Sequence, residues 1–455
     1  MPTPLSCCVD LPSGTGLVRH GLAELLRGLG VAPVWTRRGD ARLAVAVGER
    51  EESGGDLVVT PAALADLAGP RVPAVAELGW LGVEGVAWPV PVGPAGPATV
   101  GDAVAGAAWW LAGLQERAAT ERDVHGRAPY AATLQSRLGD APGGPLRPAV
   151  DAVRQRLAAA LGERGIDVPG RTWGSKAWAV ALTHDLDAVR TRRVRAALGS
   201  LGRGQPAEAA RRALGIDRRR ASIDALHALG RRHGAPATWF VKPGVWAPQD
   251  VPGGLDPALV HTLRQWRADG AEIGWHPGYG AHDHPARLAV EAQRFAQAFG
   301  APPRLARTHF LRWKEPATPR LLAGRGVAVD STLGWAAQPG FRRGTTQPFR
   351  LYDVEADRPS DLWEMPLAVM DTTLADHQRL GPGAVAQALR DVFDAARQRG
   401  GLAVVLWHNQ VGGDTAGWTA RLDALDHELR RARAAGAALG PLGALLDAWT
   451  ADPTE

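Results

Sequence analysis

The strongest constraint on the fold is an alternation of short apolar segments with helical patterns, which begins near residue 177. Between most of the apolar segments, apolar residues recur at the three- and four-residue spacing of one helix face. Strands that alternate with helices form a parallel sheet, which is either doubly wound or closed into a barrel. The predicted strands are 177–183, 237–241, 271–275, 304–308, 327–330, 362–367 and 402–407, and the predicted helices are 223–232, 257–268, 288–299, 318–324 and 384–399.

Polar side chains follow five of these predicted strands at the point where each one ends. The carboxyl ends of parallel strands lie on one face of a barrel, where active sites are built. A single histidine after a strand is usually structural, but several that converge on one face favour an active site. The residues concerned are Asp185, Asp187, His276, Arg307, His309, Asp330 and His408.

Asp185 and Asp187 end the first of these strands. Residues i and i+2 of an extended chain point the same way, so the two carboxylates leave the strand on one side. Two negative charges at such a short distance need a cation or a proton between them. The alternative is a solvated turn after the strand, where aspartate is also common. Mixed histidine and aspartate ligands suit a divalent ion, zinc first. With a carboxylate as base and a histidine as acid, this chemistry predicts hydrolysis of an amide or ester.

Five short stretches, in order, resemble the motifs of the polysaccharide deacetylase (NodB-homology, carbohydrate esterase 4) superfamily over about residues 175–450. They are 183–187, 272–276, 307–313, 330–331 and 406–408, and 237–241 resembles the second-strand signature. The strings RTHFLRW, DSTLGW and LWHN, with an ERDVHGR-like segment upstream, resemble a bacterial branch that has its own N-terminal domain. The resemblance implies an α/β fold, a distorted (β/α)7 barrel, and metal-dependent hydrolysis of an N-acetyl group.

The resemblance also implies roles for individual residues. Asp185 would be the base, oriented by Arg307, and His408 the acid, with Asp330 in the fourth motif as a further catalytic residue. Asp187 and His276 would be metal ligands, for zinc first and for cobalt or nickel as alternatives. The expected substrate is an N-acetylated sugar or a related small molecule.

The second motif departs from the family pattern, because Gly280 stands where a second histidine normally lies, four residues after His276. We expect His309 to supply the missing ligand. His282 and His284 are the alternatives, although His284 precedes a proline and is more typical of a helix start. Without a substitute the chain would be a weak or inactive enzyme.

The first part of the chain is predicted to be an accessory α/β domain over residues 1–170, ahead of a catalytic barrel over 171–455. It contains no predicted catalytic cluster. The charged segment 120–127 is interpreted as a solvated connection, with a docking or substrate-facing loop as the alternative. The other predicted elements are helices 17–29, 104–114 and 150–161, strands 43–47 and 57–59, and a loop over 89–97.

Composition and short sequence patterns indicate the cellular location and the partners to be expected. No apolar stretch is long enough to span a membrane and no signal peptide is visible, so we expect a cytoplasmic protein. Nucleic acid is not expected as a partner, since no binding motif accompanies the positive charge. The arginine-rich stretch 189–220 could contact an anionic surface, although solvated helix faces are the simpler interpretation.

Two alternatives to the deacetylase remain open: a non-catalytic glycan-binding protein, and an amidohydrolase that cleaves another C–N bond in a small metabolite. Several tryptophans near the strand ends could stack on a sugar ring or could be buried structural residues. They are Trp275, Trp313, Trp335 and Trp407.

Overall fold

The structure is a computed structural model that describes residues 3–48, 56–187, 218–409 and 415–451, together with the single positions 189, 202, 204 and 206. Most of the arginine-rich stretch 189–220 therefore lies outside the described residues. The strands, in chain order, are β1 Thr3–Asp10, β2 Val31–Trp35, β3 Leu43–Val47, β4 Asp56–Val59, β5 Gly79–Val83, β6 Val86–Val90, β7 Gly96–Pro97, β8 Trp178–Leu186, β9 Thr238–Val241, β10 Glu272–Trp275, β11 Leu305–Ala306, β12 Val329–Asp330, β13 Phe349–Asp353, β14 Arg358–Glu364, β15 Leu367–Met370, β16 Leu402–Leu406 and β17 Ala437–Gly440.

The helices are numbered in the same way along the described residues. They are α1 Thr15–Gly28, α2 Pro61–Ala68, α3 Val100–Leu111, α4 Leu114–Ala118, α5 Leu134–Leu138, α6 Ala149–Glu163, α7 Arg218–Arg232, α8 Pro257–Ala268, α9 Pro285–Phe299, α10 Ala317–Ala323, α11 Pro382–Gln398, α12 Thr415–Ala434 and α13 Leu442–Thr450.

The larger sheet has the strand order β13-β14-β12-β11-β10-β9-β8-β16-β15, and β17 also pairs with β8. Its neighbouring strands are parallel except for β13 and β14, which are antiparallel. The sheet curls into a half-barrel. Among the described residues β14 and β15 do not pair, so the barrel is distorted rather than closed. The predicted α/β fold with a barrel-like sheet is confirmed.

The central strand β8 explains why this sheet forms. All nine of its residues are buried, as expected for a parallel strand covered on both faces. It pairs with β16 on one side and with β17 and then β9 on the other. The predicted strand over 362–367 was wrong in detail, since the chain forms β14 and then β15 there.

The first part of the chain forms a parallel four-stranded sheet of order β2-β1-β3-β4 and a three-stranded sheet of order β6-β5-β7. Strands β1 and β2 were not predicted, and the predicted loop over 89–97 contains the end of β6 and all of β7. The predicted helix 104–114 is instead α3 followed by α4, with a break at Gly113. That glycine has φ 67°, and a side chain there would overlap Arg343.

The first part of the chain packs on the barrel. Helices α1 and α3 contact β13, and α1 also contacts β14. At the contact between the two parts of the chain, the buried Glu116 pairs with Arg342, and its carboxylate lies 3.5 Å from Arg343 Nε. One hydrophobic core runs through both parts, and the division at residue 170 stays a prediction. Within the described ranges, no helix combines the length and the apolar character that crossing a membrane requires.

Candidate active site

Three predicted ligands meet at the carboxyl ends of strands β8, β10 and β11 of the larger sheet. Asp187 follows β8, His276 follows β10, and His309 follows β11. His276 Nε2 lies 3.1 Å and His309 Nε2 lies 3.3 Å from the same oxygen, Asp187 Oδ1. The three donor atoms all lie within 4.8 Å of one another.

The two imidazoles are oriented so that Nε2 points toward Asp187. His276 Nδ1 lies 2.5 Å from the carbonyl oxygen of Arg307, and His309 Nδ1 lies 2.8 Å from Asp250 Oδ1. Since both partners are acceptors, each Nδ1 carries a hydrogen, and Nε2 is the atom through which a metal ion would be bound. Ligands about 2.0–2.1 Å from a tetrahedral zinc lie about 3.3 Å apart, which both separations from Asp187 Oδ1 match.

The electrostatics of the cluster favour an ionised carboxylate beside imidazoles that can bind a metal. Burial by itself would raise the pKa of Asp187, but the neighbouring His309, His276 and His408 hold it well below its ordinary value. Burial lowers the pKa of His309, although Asp187 and Asp250 act in the opposite direction. A neutral imidazole is the form that a metal requires.

Asp185 lies beside the cluster and is held by a buried arginine. Its Oδ1 accepts a hydrogen bond of 3.1 Å from Arg307 Nη1, and its Oδ2 lies 3.8 Å from His276 Nε2. The Arg307 side chain is wholly buried, and it also donates to Thr183 Oγ1 and to the carbonyl and hydroxyl oxygens of Ser331. One oxygen of Asp185 is thus fixed by the arginine while the other faces the cluster.

His408 approaches the cluster from the other side. Its Nε2 lies 3.7 Å from Asp187 Oδ2, and its Nδ1 lies 2.6 Å from Asp371 Oδ1. Burial would lower the pKa of His408, but Asp371, Asp187 and Asp185 raise it to about 10. The imidazole is therefore protonated at neutral pH, as a general acid must be.

Asp330 is the predicted site residue that the structure does not bring into the cluster. It is completely buried, and its two oxygens accept hydrogen bonds from the backbone N–H and the hydroxyl of Thr332. Burial raises its pKa to about 6, and burial and Asp330 raise the pKa of Glu364 well above the ordinary value. Asp330 and Glu364 form a carboxyl pair. The residue after Asp330, Ser331, accepts a hydrogen bond from Arg307 through its hydroxyl oxygen.

Gly280 and the two alternative histidines lie apart from the cluster. His282 is buried, with Nδ1 3.6 Å from Asp283 Oδ1, and burial lowers its pKa to about 4. His284 occupies the N-cap of α9, as its position before Pro285 predicted. A side chain at Gly280 would begin 2.6 Å from Arg287 Nη1, so a ligand there would require the arginine to move.

Sequence reasoning missed Asp250 and Asp371, the carboxylates that orient His309 and His408. Asp371 directly follows β15, so the strand-end criterion could have found it once that strand was placed. Asp250 lies in the loop between β9 and α8, and no local pattern marks it.

The segment 120–127 is not a solvated connection, because its turn over 123–127 docks beside the cluster. Arg127 Nη1 donates to the carbonyl of Phe310 at 2.7 Å, and Arg312 Nε donates to the carbonyl of His125 at 2.8 Å. His125 Nδ1 lies 3.1 Å from Tyr279 Oη. Phe310, next to His309, has a left-handed φ of 61°. The docking alternative is therefore the one that the structure supports.

The tryptophans near the strand ends are buried. Trp275 and Trp407 have no exposed surface, while Trp335 and Trp313 are 5% and 9% exposed. The structural interpretation therefore holds for Trp275 and Trp407. Trp313 lines a cleft of about 600 Å³ with Arg122, His282 and Arg312, beside the docked turn.

No family model matches the chain, and no curated protein matches it. Among solved structures, it is similar to proteins described as polysaccharide deacetylases from Pseudomonas aeruginosa (17% identity, 65% of this chain and 98% of that chain, TM-score 0.45) and Mycobacterium smegmatis (19%, 58% and 93%, 0.38). A carbohydrate esterase 4 pseudoenzyme from Bacillus anthracis is 12% identical over 60% of this chain and 67% of that chain, with a TM-score of 0.33. All three structures match this chain at low identity. At TM-scores below 0.5 they assign no activity, which has to come from the side chains at the sheet's edge.

Proposed function

We propose that this chain is a divalent-metal-dependent hydrolase of the polysaccharide deacetylase type, which removes an N-acetyl or related acyl group from a carbohydrate or sugar-containing substrate. One observation carries the proposal. The three convergent donors of Asp187, His276 and His309 lie beside a carboxylate held by Arg307 and a histidine held by Asp371.

Asp187, His276 and His309 would hold the ion, for which zinc suits the donor set best. A divalent ion bound there supplies Lewis-acid chemistry, which polarises a carbonyl and makes a water more acidic. Both histidines reach the site in the tautomer that leaves Nε2 free, because a backbone carbonyl and Asp250 hold their Nδ1 hydrogens.

The proton transfers are assigned to the residues on either side. Asp185 Oδ2 faces the cluster and takes the proton of the attacking water, while Arg307 holds Oδ1 in place. His408 donates from Nε2 to the leaving nitrogen, while Asp371 holds Nδ1. The amide C–N bond breaks, a C–O bond forms, and the products are a free amine and a carboxylic acid.

Metal content of the purified protein tests the proposal first. We expect about one zinc-like ion per chain in the wild type, measured by mass spectrometry, and little in His276→Ala, His309→Ala and Asp187→Asn. Asp185→Asn should keep the ion but lose hydrolysis of N-acetylated sugars, because the base and not a ligand is removed. A wild-type protein that takes up no zinc, cobalt or nickel would contradict the proposal and favour a non-catalytic glycan-binding protein.

A further inference from the structure

We propose that Asp250 is a positioning residue that lets His309 stand in for the histidine missing at Gly280. Asp250 lies in the loop after β9, whereas His309 lies after β11, so two separate loops together supply one ligand. The inference rests on the proposed metal site, and it names a residue that acts through a ligand rather than on the substrate.

Asp250 is held from several directions and can hold His309 in turn. It is 4% exposed, and its Oδ1 accepts hydrogen bonds from His309 Nδ1 at 2.8 Å and from the Tyr279 backbone N–H at 2.9 Å. Its Oδ2 accepts from the Trp246 backbone N–H at 2.9 Å. Because both oxygens are engaged, the carboxylate has one orientation, and it joins the loop that contains Gly280 to His309.

A buried lysine lies behind this carboxylate. Lys242 Nζ is 3.8 Å from Asp250 Oδ1, and neither side chain is exposed. Within the described part of the chain, that nitrogen has no hydrogen-bond partner. A buried charge usually needs an opposite charge nearby, so Lys242 and Asp250 compensate one another. Burial would raise the pKa of Asp250, but the hydrogen bonds from His309, Tyr279 and Trp246 lower it to about 2.

The geometry explains why the ligand has moved to His309. Arg287 Nη1 donates to the carbonyl of Gly280 at 2.8 Å and occupies the space that a side chain would need. The loop therefore contributes only its backbone, through the Tyr279 N–H that binds Asp250. A carboxylate that fixes the tautomer of a ligating histidine typically changes metal affinity by about 10- to 100-fold.

Asp250→Asn is the sharpest test, because the amide has nearly the same shape but only one acceptor oxygen. In either orientation the amide offers one neutral acceptor oxygen to the three donors of His309, Tyr279 and Trp246, so the hydrogen bond that holds His309 Nδ1–H is lost or weakened. We expect zinc affinity to fall about 10- to 100-fold, measured by competition with a chelator, while the fold is retained. Asp283→Asn is the matched control, since Asp283 contacts His282 and Lys314 and does not contact His309.

A double-mutant cycle separates positioning from general damage. If Asp250 acts through His309, Asp250→Asn should weaken zinc binding in the wild type but change little the weaker affinity that Asp187 and His276 retain in His309→Ala, which is titrated with excess zinc. Equal losses in both backgrounds, or full zinc affinity in Asp250→Asn, would overturn the inference.

The ¹⁵N spectrum of the histidine rings distinguishes this inference from the proposed function. Without zinc, His309 should carry its hydrogen on Nδ1 in the wild type and shift toward Nε2 in Asp250→Ala, which offers no acceptor to Nδ1. If the wild type binds no zinc, the proposed function fails, and this tautomer shift still decides the inference: its presence supports positioning and its absence refutes it.

Discussion

The carboxyl pair of Asp330 and Glu364 should make the stability of the protein depend on pH through one buried proton. Both side chains are completely buried. Both oxygens of Asp330 already accept from Thr332, so the pair's proton belongs on Glu364, whose Oε1 accepts from the Leu333 N–H. Burial and Asp330 raise the pKa of Glu364 well above 4.5.

The direction of the pH dependence follows from the number of protons that the folded and unfolded chains bind. Above pH 4.5 the unfolded chain has lost this proton, whereas the folded chain keeps it, so the free energy of unfolding falls as pH rises. Each pH unit costs about 1.36 kcal/mol, which reaches about 3 kcal/mol at pH 7 if Glu364 stays protonated. Glu364→Gln keeps an acceptor for Leu333 and a donor for Asp330 but needs no proton. It should be nearly as stable as the wild type at pH 5 and up to about 3 kcal/mol more stable at pH 7, less the weaker hydrogen bond of an amide.

Denaturant unfolding of the wild type and of Glu364→Gln between pH 5 and pH 8 measures this difference in the free energy of unfolding. Asp330→Asn is the companion variant. Its amide has one acceptor for the two donors of Thr332, which costs about 1–3 kcal/mol, and it removes the charge that raises the pKa of Glu364, so its stability should also fall less as pH rises. Parallel stability curves for the wild type and Glu364→Gln would refute the assignment of the buried proton to Glu364.

Three further predictions concern the cluster. In the metal-free protein, Asp371→Asn should lower the pKa of His408 from about 10, because its strongest anionic neighbour is removed, and an NMR titration of the imidazole measures this. A pKa that stays near 10 would show that Asp371 is not the cause. Arg127→Ala removes the hydrogen bond from the docked turn to the carbonyl of Phe310, the residue after His309. Zinc affinity, measured by chelator competition, should fall several-fold. An unchanged affinity would show that the docked turn does not support the site. Gly280→His in a His309→Ala background should restore zinc binding only in part, since the new side chain must displace Arg287, and full recovery of zinc content would contradict this.

Much of the barrel was predictable because the signals are local. The apolar run of β8 and the helical spacing of α8 and α11 follow from burial of neighbouring residues along the chain. Strands β1 and β2 were missed, and β14 and β15 were merged into one predicted strand.

The sequence by itself determined which strand ends are polar, and parallel topology then required Asp187, His276 and His309 to lie on one edge. It also placed Asp185 and Asp187 on the same side of β8. Only the tertiary structure decided their separate surroundings, with Arg307 on Asp185 and two imidazoles on Asp187.

Asp250 and Arg127, which support the site from loops, could not be found from sequence, because their partners are far away along the chain. Asp250 is 59 residues from His309, and Arg127 is 183 residues from Phe310. Asp330 stood in a motif position, yet the fold buried it beside Glu364 instead of at the cluster. The sequence shows only that a carboxylate is present. The tertiary structure decides whether nearby imidazoles, an arginine or a shared proton compensates its charge.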